Sequence, residues 1–254
     1  MPRVDAIDIS HYQSISSFSS IKSAGVVGVF QKCTEGTTYY DSTYGSRYPQ
    51  ALDAGLKWGA YHFLKHGNVP QQMDWFLSKA KLPSGSRVAI DYEDSACTLT
   101  DLQQAIESIS GKDSTLQICV YCGGLLKGQV SSTGDYSWLS PYPLWLAQYT
   151  SGTPTWPKNI WPQWTLWQYT DQGKVSGISG AVDLNTFNGS PENCAKWFGP
   201  TEVVPVPPPP PPVEPVVAVA LTVPDGVEVS ISVNGQQVMG KSFGDRRRMQ
   251  AGEG

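Results

Sequence analysis

Two acidic residues two positions apart follow a short apolar run in the segment RVAIDYED, residues 87–94. The apolar residues 88–90 are typical of a buried β-strand, in which side chains alternate between the two faces. Asp91 and Glu93 therefore point to the same side. Two carboxylates held together at the end of a core strand repel each other, so the arrangement favours a site that uses them. A loop cap or a bound cation is the alternative interpretation.

Paired carboxylates of this kind can hydrolyse glycosides. One protonated carboxyl group donates its proton to the leaving oxygen, and a second, ionised carboxylate stabilises the oxocarbenium-like transition state. Crowding raises the pKa of one carboxyl group while the others stay ionised. Sugar rings also stack on aromatic side chains, for which core packing is the alternative role. The aromatic residues at predicted strand ends are Tyr61, Tyr121, Trp145, Tyr149, Trp167 and Tyr169.

The elements that must position these residues alternate between strands and helices. This alternation predicts a parallel sheet covered by helices, and eight strands favour a closed (β/α) barrel. The helical patterns fade after residue 140, so the predicted barrel is irregular there. Helices are predicted over 14–24, 43–55, 70–80 and 99–110. Strands are predicted over 4–9, 26–32, 58–63, 87–93, 116–121, 144–149, 164–169 and 181–184.

In such barrels the active site lies at the carboxyl ends of the strands. Asp8 falls in the first predicted strand, Asp91 and Glu93 in the fourth, and Asp183 in the eighth. The first and eighth strands are neighbours in a closed barrel, and the fourth lies across its mouth. The sequence therefore predicts that four carboxylates from three strands converge on one pocket.

Composition narrows the range of partners and cofactors. The net charge of −4 gives no basis for binding nucleic acid. The sequence contains no apolar run of 18 or more residues, so no membrane span is predicted. The opening MPRVDAIDIS lacks a basic segment followed by an apolar stretch, so we expect no secretory signal and a soluble, cytoplasmic product. The five cysteines are expected to be free thiols, and without an HExxH pattern no metal or cofactor is predicted.

A proline tract divides the chain into three predicted parts. Residues 1–199 form the barrel, and residues 200–215, which include VVPVPPPPPPVEP, form a stiff polyproline linker. Residues 216–254 form a small β-rich tail with a hairpin turn at Asp225-Gly226, and a further short strand after Asn234-Gly235 is an open alternative. The tail would pack on the barrel, self-associate or become ordered only on a partner, either the cell wall or another protein.

Seven segments between residues 4 and 190 resemble the family 25 glycoside hydrolases, the muramidases (lysozymes) of many bacteriophage endolysins. They follow the order of that family's motifs. The segments are AIDISHYQ (6–13), KCTEGTTYYD (32–41), AGLKWGAYHFL (54–64), VAIDYED (88–94), VYCGG (120–124), PLWLAQY (143–149) and LWQYTDQGKVSGISGAVDLNTF (166–187).

The resemblance implies cleavage of the β-1,4 bond between N-acetylmuramic acid and N-acetylglucosamine in peptidoglycan, on an irregular barrel of eight strands and about five helices. It implies that Glu93 is the general acid. Asp91 would be either the nucleophile or the group that stabilises a substrate-assisted intermediate, while Asp8 and Asp183 tune the pair and hold substrate. Glu35 and His62 would support the site or serve the fold. The implied sugar contacts are Tyr61, Tyr121, Trp145, Gln148, Gln168 and Asn185.

A phage lysin of this family would stay in the host cytoplasm and act on the wall after release. Its partner would be cell-wall peptidoglycan, with no nucleic acid and no membrane span. Two other functions fit the same residues. One is a wall-binding module without turnover, which the four acids disfavour, and the other is a barrel hydrolase that uses its carboxylates to hold Mg²⁺ or Ca²⁺.

Overall fold

Eight β-strands between residues 6 and 187 close into a barrel. The computed structural model describes residues 2–200 and the backbone of 228–233 and 236–242. The barrel strands are β1 (Ala6–Ile9), β3 (Gly28–Glu35), β5 (Lys57–Phe63), β6 (Arg87–Tyr92), β7 (Gln117–Cys122), β8 (Leu144–Ala147), β9 (Leu166–Gly173) and β11 (Val182–Phe187). Short strands are β2 (Ser14–Ile15), β4 (Tyr39–Tyr40) and β10 (Ile178–Ser179). The helices are α1 (Phe18–Ser23), α2 (Tyr44–Asp53), α3 (Val69–Ala80), α4 (Leu99–Lys112), α5 (Gly124–Gln129) and α6 (Pro191–Phe198).

The barrel closes because β1 pairs with both β3 and β11. The seven barrel strands β1, β3, β5, β6, β7, β8 and β9 pair in parallel, each with the next, whereas β11 is antiparallel to both β9 and β1. The all-parallel sheet predicted from the sequence is therefore wrong for the eighth strand. Only residues 174–181 separate β9 from β11. A parallel return needs a crossover of a dozen or more residues, so this short connection reverses the chain.

The predicted strands are confirmed, and the helices differ in two respects. The described residues contain six α-helices rather than about five. The helix predicted over 14–24 begins only at Phe18, because residues 14–15 pair with β10 and Ser17 caps the helix by accepting a hydrogen bond from the Ser20 amide. None of the helices among the described residues is long and apolar enough to cross a membrane.

Aromatic rings fill the interior of the barrel. The Phe30 ring stacks on the Trp145 ring with centroids 4.4 Å apart, and it contacts Phe198 of α6 at 4.9 Å. Two strand glycines make room for these rings. A Cβ on Gly28 would lie 2.5 Å from Phe198, and one on Gly59 would lie 2.4 Å from Phe30. Helix α6 thus closes the end of the barrel where the parallel strands begin, leaving the other end open.

The tail contributes two further strands, β12 (Glu228–Val233) and β13 (Gln236–Ser242), which pair in antiparallel fashion. Residues 201–227, which hold most of the predicted linker and the predicted turn at Asp225-Gly226, lie outside the described residues. The dipeptide Asn234-Gly235 between the two strands lies outside them as well. The three predicted domain boundaries therefore stay predictions.

We expect Gly59→Ala to lower the free energy of unfolding by about 1–3 kcal/mol, because the added methyl group meets a ring that is fully buried and stacked. Gly111→Ala in α4 is the matched control. Its methyl group meets no atom within 4 Å, and alanine gains up to about 1 kcal/mol over glycine inside a helix. Urea unfolding of both variants measures the difference, and equal stabilities would contradict this account of the barrel interior.

Candidate active site

A cavity of about 200 Å³ opens at the end of the barrel where the parallel strands finish. All four predicted acids line it. Asp91 lies near the end of β6, and Glu93 follows that strand directly. Asp8 lies near the end of β1, opposite Asp183 in the β1–β11 register. The cavity-lining residues are Asp8, Tyr61, Asp91, Glu93, Tyr121, Trp145, Tyr149, Gln168 and Asp183.

Asp183 reaches this cavity by a route that the sequence did not predict. We expected it at the carboxyl end of a parallel eighth strand, but it is the second residue of β11. Because β11 runs antiparallel to its neighbours, its beginning lies beside their ends. The reversal of one strand therefore delivers the fourth acid to the mouth of the barrel.

The Asp8 and Asp183 carboxyl groups share a hydrogen bond. Burial, the charge of Asp8 and this hydrogen bond raise the pKa of Asp183 to about 9. Asp183 therefore keeps its proton at neutral pH and donates it to Asp8. Two carboxylates this close cannot both be ionised at low cost, so the pair holds one proton between them.

Two side-chain amides hold Asp8 as the ionised member of the pair. Gln168 Nε2 donates to both Asp8 carboxylate oxygens at 3.0 Å, and Asn185 Nδ2 donates to Asp8 Oδ2 at 2.7 Å. Burial raises the pKa of Asp8, while these hydrogen bonds act in the opposite direction. Asp8 is thus a buried anion whose position is set by donors from two strands.

Aromatic side chains orient both amides in turn. The hydroxyl groups of Tyr121 and Tyr149 each donate to Gln168 Oε1 at 2.9 Å. Trp145 Nε1 donates to Asn185 Oδ1 at 2.6 Å. With their oxygens occupied, the amide groups can turn only their NH₂ ends toward Asp8. The sugar contacts that the resemblance implied for these residues stay predictions.

Asp91 and Glu93 form the second pair of acids, and desolvation acts on both. Burial and then the charge of Glu93 raise the pKa of Asp91 well above its ordinary value. Burial also raises the pKa of Glu93, against the lowering effect of Lys32. Asp91 Oδ1 is buried and has no hydrogen-bond partner within the described residues. The pair therefore combines a high proton affinity with one carboxylate oxygen free to accept a donor.

Lys32 is a charged residue near the acids that the sequence alone did not single out. It lies on β3, its side chain is only 12% exposed, and Nζ pairs with Glu35 at 2.5 Å. Its charge lowers the pKa of both Asp91 and Glu93. A lysine inside an apolar strand was the available signal, because buried cations need a partner. That partner is Glu35, three residues further along the chain, which does not line the cavity.

His62 belongs to the fold rather than to the cavity. Its ring is fully buried between β5 and α3, where Thr34 donates to Nδ1 at 2.8 Å and Nε2 donates to Gln72 Oε1 at 3.1 Å. Burial lowers the pKa of His62 to about 4, so the ring is neutral. These hydrogen bonds hold α3 against strands β3 and β5.

A second cavity of about 360 Å³ adjoins the first on the side of Glu93. Tyr121 and Tyr149 line both cavities. Gln148, a predicted sugar contact, lines this second cavity, and its Oε1 accepts a hydrogen bond from Lys127 Nζ at 2.6 Å. The two cavities together form a groove that is joined at Glu93, Tyr121 and Tyr149, with the other three acids in the smaller cavity.

This groove defines a class of protein. Within the described residues, no group of three or more His, Cys, Asp or Glu side chains could hold a metal ion. All five cysteines are free and buried, and burial raises the pKa of each thiol, which leaves them unreactive. An α/β barrel with protonated and ionised carboxyl groups between aromatic walls is that of a glycoside hydrolase.

Comparison with known proteins identifies the family. The model for "Glycosyl hydrolases family 25" matches residues 7–178. The chain is 31% identical over 211 residues to lysozyme M1 of Streptomyces globisporus, covering 74% of this chain and 68% of that protein. The chain therefore belongs to family 25 of the glycosyl hydrolases and is a lysozyme-type enzyme.

Solved structures agree with this assignment. The lysozyme of Streptomyces coelicolor is 29% identical, with a TM-score of 0.67 over 78% of this chain and 98% of that one. The CTP1L endolysin is 26% identical, with a TM-score of 0.64 over 76% of this chain and 70% of that one. The fold expected from the resemblance is thus confirmed.

The shared proton makes a prediction about stability. Between the ordinary aspartate pKa of 3.8 and about 9, native Asp183 holds a proton that the unfolded chain releases. The contribution of this group to stability therefore falls as pH rises through that window. An asparagine side chain can donate a hydrogen bond to Asp8 through its amide group, which does not titrate. We expect Asp183→Asn to raise the free energy of unfolding by about 1–2 kcal/mol at pH 7, with a smaller effect near pH 4.

Asp8→Asn is the matched control for this measurement. The new amide would turn a donor toward the donors of Gln168 and Asn185 and leave hydrogen bonds unmade. We therefore expect the free energy of unfolding to fall by at least about 1 kcal/mol at both pH values. Urea unfolding at the two pH values separates these outcomes. If Asp183→Asn lowers stability equally at both, the proton does not reside on Asp183.

Proposed function

We propose that the protein is an N-acetylmuramidase that cleaves the β-1,4 bond between N-acetylmuramic acid and N-acetylglucosamine in peptidoglycan. The observation that carries the proposal is the pairing of Asp91 and Glu93 in a cavity walled by aromatic rings. Membership of family 25 and the likeness to named lysozymes support it.

Glu93 is proposed as the general acid. It lies where the two cavities meet, which is where a glycosidic bond spanning them would lie. Its pKa is raised by burial, so it holds a proton to a higher pH than an ordinary glutamate. A carboxyl group with that property can protonate the leaving oxygen.

Asp91 is proposed as the carboxylate that acts on the 2-acetamido group of the bound sugar. In the empty cavity, desolvation raises its pKa, and Oδ1 lacks a donor among the described residues. The 2-acetamido N–H of a bound sugar would supply that donor and so favour the ionised carboxylate. This favours the substrate-assisted role, in which Asp91 orients the acetamido group, over direct attack.

Asp8 and Asp183 are proposed to complete the electrostatic field of the site. The Asp8 charge raises the pKa of Asp91, and the charge of Asp183, when ionised, would raise that of Glu93. The proton that Asp8 and Asp183 share limits this repulsion. Asp183 also lines the cavity and can exchange hydrogen bonds with a sugar hydroxyl group.

The biological setting that we propose is host lysis by a bacteriophage. The likeness to the CTP1L endolysin supports it. The enzyme would wait in the host cytoplasm and reach the wall after release, and the segment after residue 200 would contact the wall or another protein. Lysis of cells from outside by the added protein tests the wall-degrading part of this proposal.

Glu93→Gln is expected to lower the release of reducing ends from purified cell walls by at least about a hundredfold, because glutamine cannot donate a proton to the leaving group. Asp94→Asn is the matched control. Asp94 pairs with Lys65 at 2.7 Å outside the cavity, so its loss should leave activity within about twofold of wild type. Mass spectrometry of the digest should find reducing muramic acid ends.

Four results would contradict the assignment. Full activity of Glu93→Gln would show that Glu93 is not the general acid. Reducing glucosamine ends in the digest would indicate a glucosaminidase. Wall binding without cleavage by the wild type would favour the binding module. Unchanged activity in excess chelator is expected, and loss there would favour the metal-dependent hydrolase.

Lys32→Met is expected to shift the alkaline limb of the kcat/KM profile to higher pH. Lys32 lowers the pKa of Glu93, so removing its charge raises that pKa further and keeps the acid protonated longer. Lys65→Met is the control, because Lys65 also lies near Glu35 but is 45% exposed and pairs with Asp94. An unmoved or acid-shifted limb in Lys32→Met would contradict Glu93 as the titrating acid.

A further inference from the structure

Three large hydrophobic side chains are exposed among the described residues: Tyr12 at 79%, Tyr39 at 38% and Tyr149 at 53%. All three lie at the mouth of the barrel. Tyr12 follows the end of β1, Tyr39 lies on β4 opposite Glu35 at the end of β3, and Tyr149 follows β8. Tyr149 lines the catalytic cavities, whereas Tyr12 and Tyr39 line neither.

Tyr12 and Tyr39 form one cluster with His11, which we term the outer aromatic cluster. The rings of His11 and Tyr12 lie 4.0 Å apart between centroids. The Tyr39 hydroxyl group is 2.9 Å from His11 Nδ1, and the His11 amide donates to Asp41 Oδ2 at 2.7 Å. One face of Tyr12 packs on His11, and the exposed remainder faces solvent.

Hydrogen bonds from a buried arginine fix the loop of residues 10–13, which carries His11 and Tyr12. Buried Arg47 donates through Nη1 to Ser10 O at 2.7 Å and through Nη2 to Gln13 O. The Ser10 amide donates to Gln13 Oε1 at 2.9 Å. A ligand that stacks on Tyr12 therefore meets a loop already ordered, which lowers the entropic cost of binding.

Lys32 lies near both the outer aromatic cluster and the proposed catalytic acids. Lys32 Nζ lies 5.4 Å from the centre of the Tyr39 ring, and the same charge acts on Asp91 and Glu93. In the barrel order, β9 and β11 separate β8 from β1 on one side, and β5, β6 and β7 separate β8 from β3 on the other. A chain that extends from Tyr149 to Tyr12 therefore crosses the mouth of the barrel.

We infer that the outer aromatic cluster is a distal subsite that stacks a saccharide ring of the same glycan strand, beyond the rings held at the carboxylates. The inference rests on the proposed function. Tyr12 supplies the apolar face that a sugar ring covers, and His11 and the Tyr39 hydroxyl group supply polar partners for ring hydroxyls. A rigid, uncharged ring face with polar atoms at its edge suits a carbohydrate better than a charged polymer.

The test compares two soluble substrates that differ in length. One is a tetrasaccharide of alternating N-acetylglucosamine and N-acetylmuramic acid, which fills only the sites near the acids, and the other is long glycan strands freed of stem peptides. We expect Tyr12→Ala to lower kcat/KM on the long strands by about threefold to tenfold, mainly through KM, while activity on the tetrasaccharide is unchanged. Tyr12→Phe is the matched control, because it keeps the ring and should retain wild-type rates on both.

Each outcome decides a different point. Equal loss on both substrates, or no loss on either, overturns the distal subsite and leaves the proposed function standing. Equal loss in Tyr12→Phe and Tyr12→Ala would show that the ring face is not what binds. Failure of the wild type to cleave either substrate refutes the proposed function, and the inference fails with it. Thermal unfolding of both variants verifies that the fold is intact.

Discussion

The pairing of β1 with an antiparallel β11 is the constraint on which the site depends. It closes the barrel and sets Asp8 opposite Asp183 in the register. It also brings Asn185 from the same strand to within 2.7 Å of Asp8. Since side chains alternate along a strand, a slip of one residue would turn Asp183 and Asn185 away from the cavity together. The register of one strand pair therefore determines how Asp8, Asp183 and Asn185 meet.

Placing four carboxyl groups in one buried cavity lowers the stability of the fold, and three features of the structure limit that loss. Asp183 retains a proton, Asp8 receives three hydrogen bonds from amides, and Lys32 offsets the charge near Asp91 and Glu93. The open oxygen of Asp91 is the part left unsatisfied. Sites prepared for a ligand often sacrifice stability in this way, because the missing partner arrives only with the substrate.

The packed base of the barrel supports the layer of acids above it. Phe30, Trp145 and Phe198 pack below the acids, and Gly28 and Gly59 admit the rings that larger residues would displace. Trp145 joins the two layers, because its ring belongs to this packing while its Nε1 orients Asn185. Because a close-packed core is hardly compressible, it keeps the donors within hydrogen-bond distance of Asp8.

The sequence by itself determined the strand positions, the four acids and their common destination, because apolar runs of β length and acids at their ends are local patterns. It could not determine the direction of β11, since that depends on how the chain turns back after β9 to pair with it. Nor could it assign the proton to Asp183 or the charge of Lys32 to the acids, because both effects arise between residues far apart in the chain. Burial and proximity, which only the tertiary structure supplies, decided those roles.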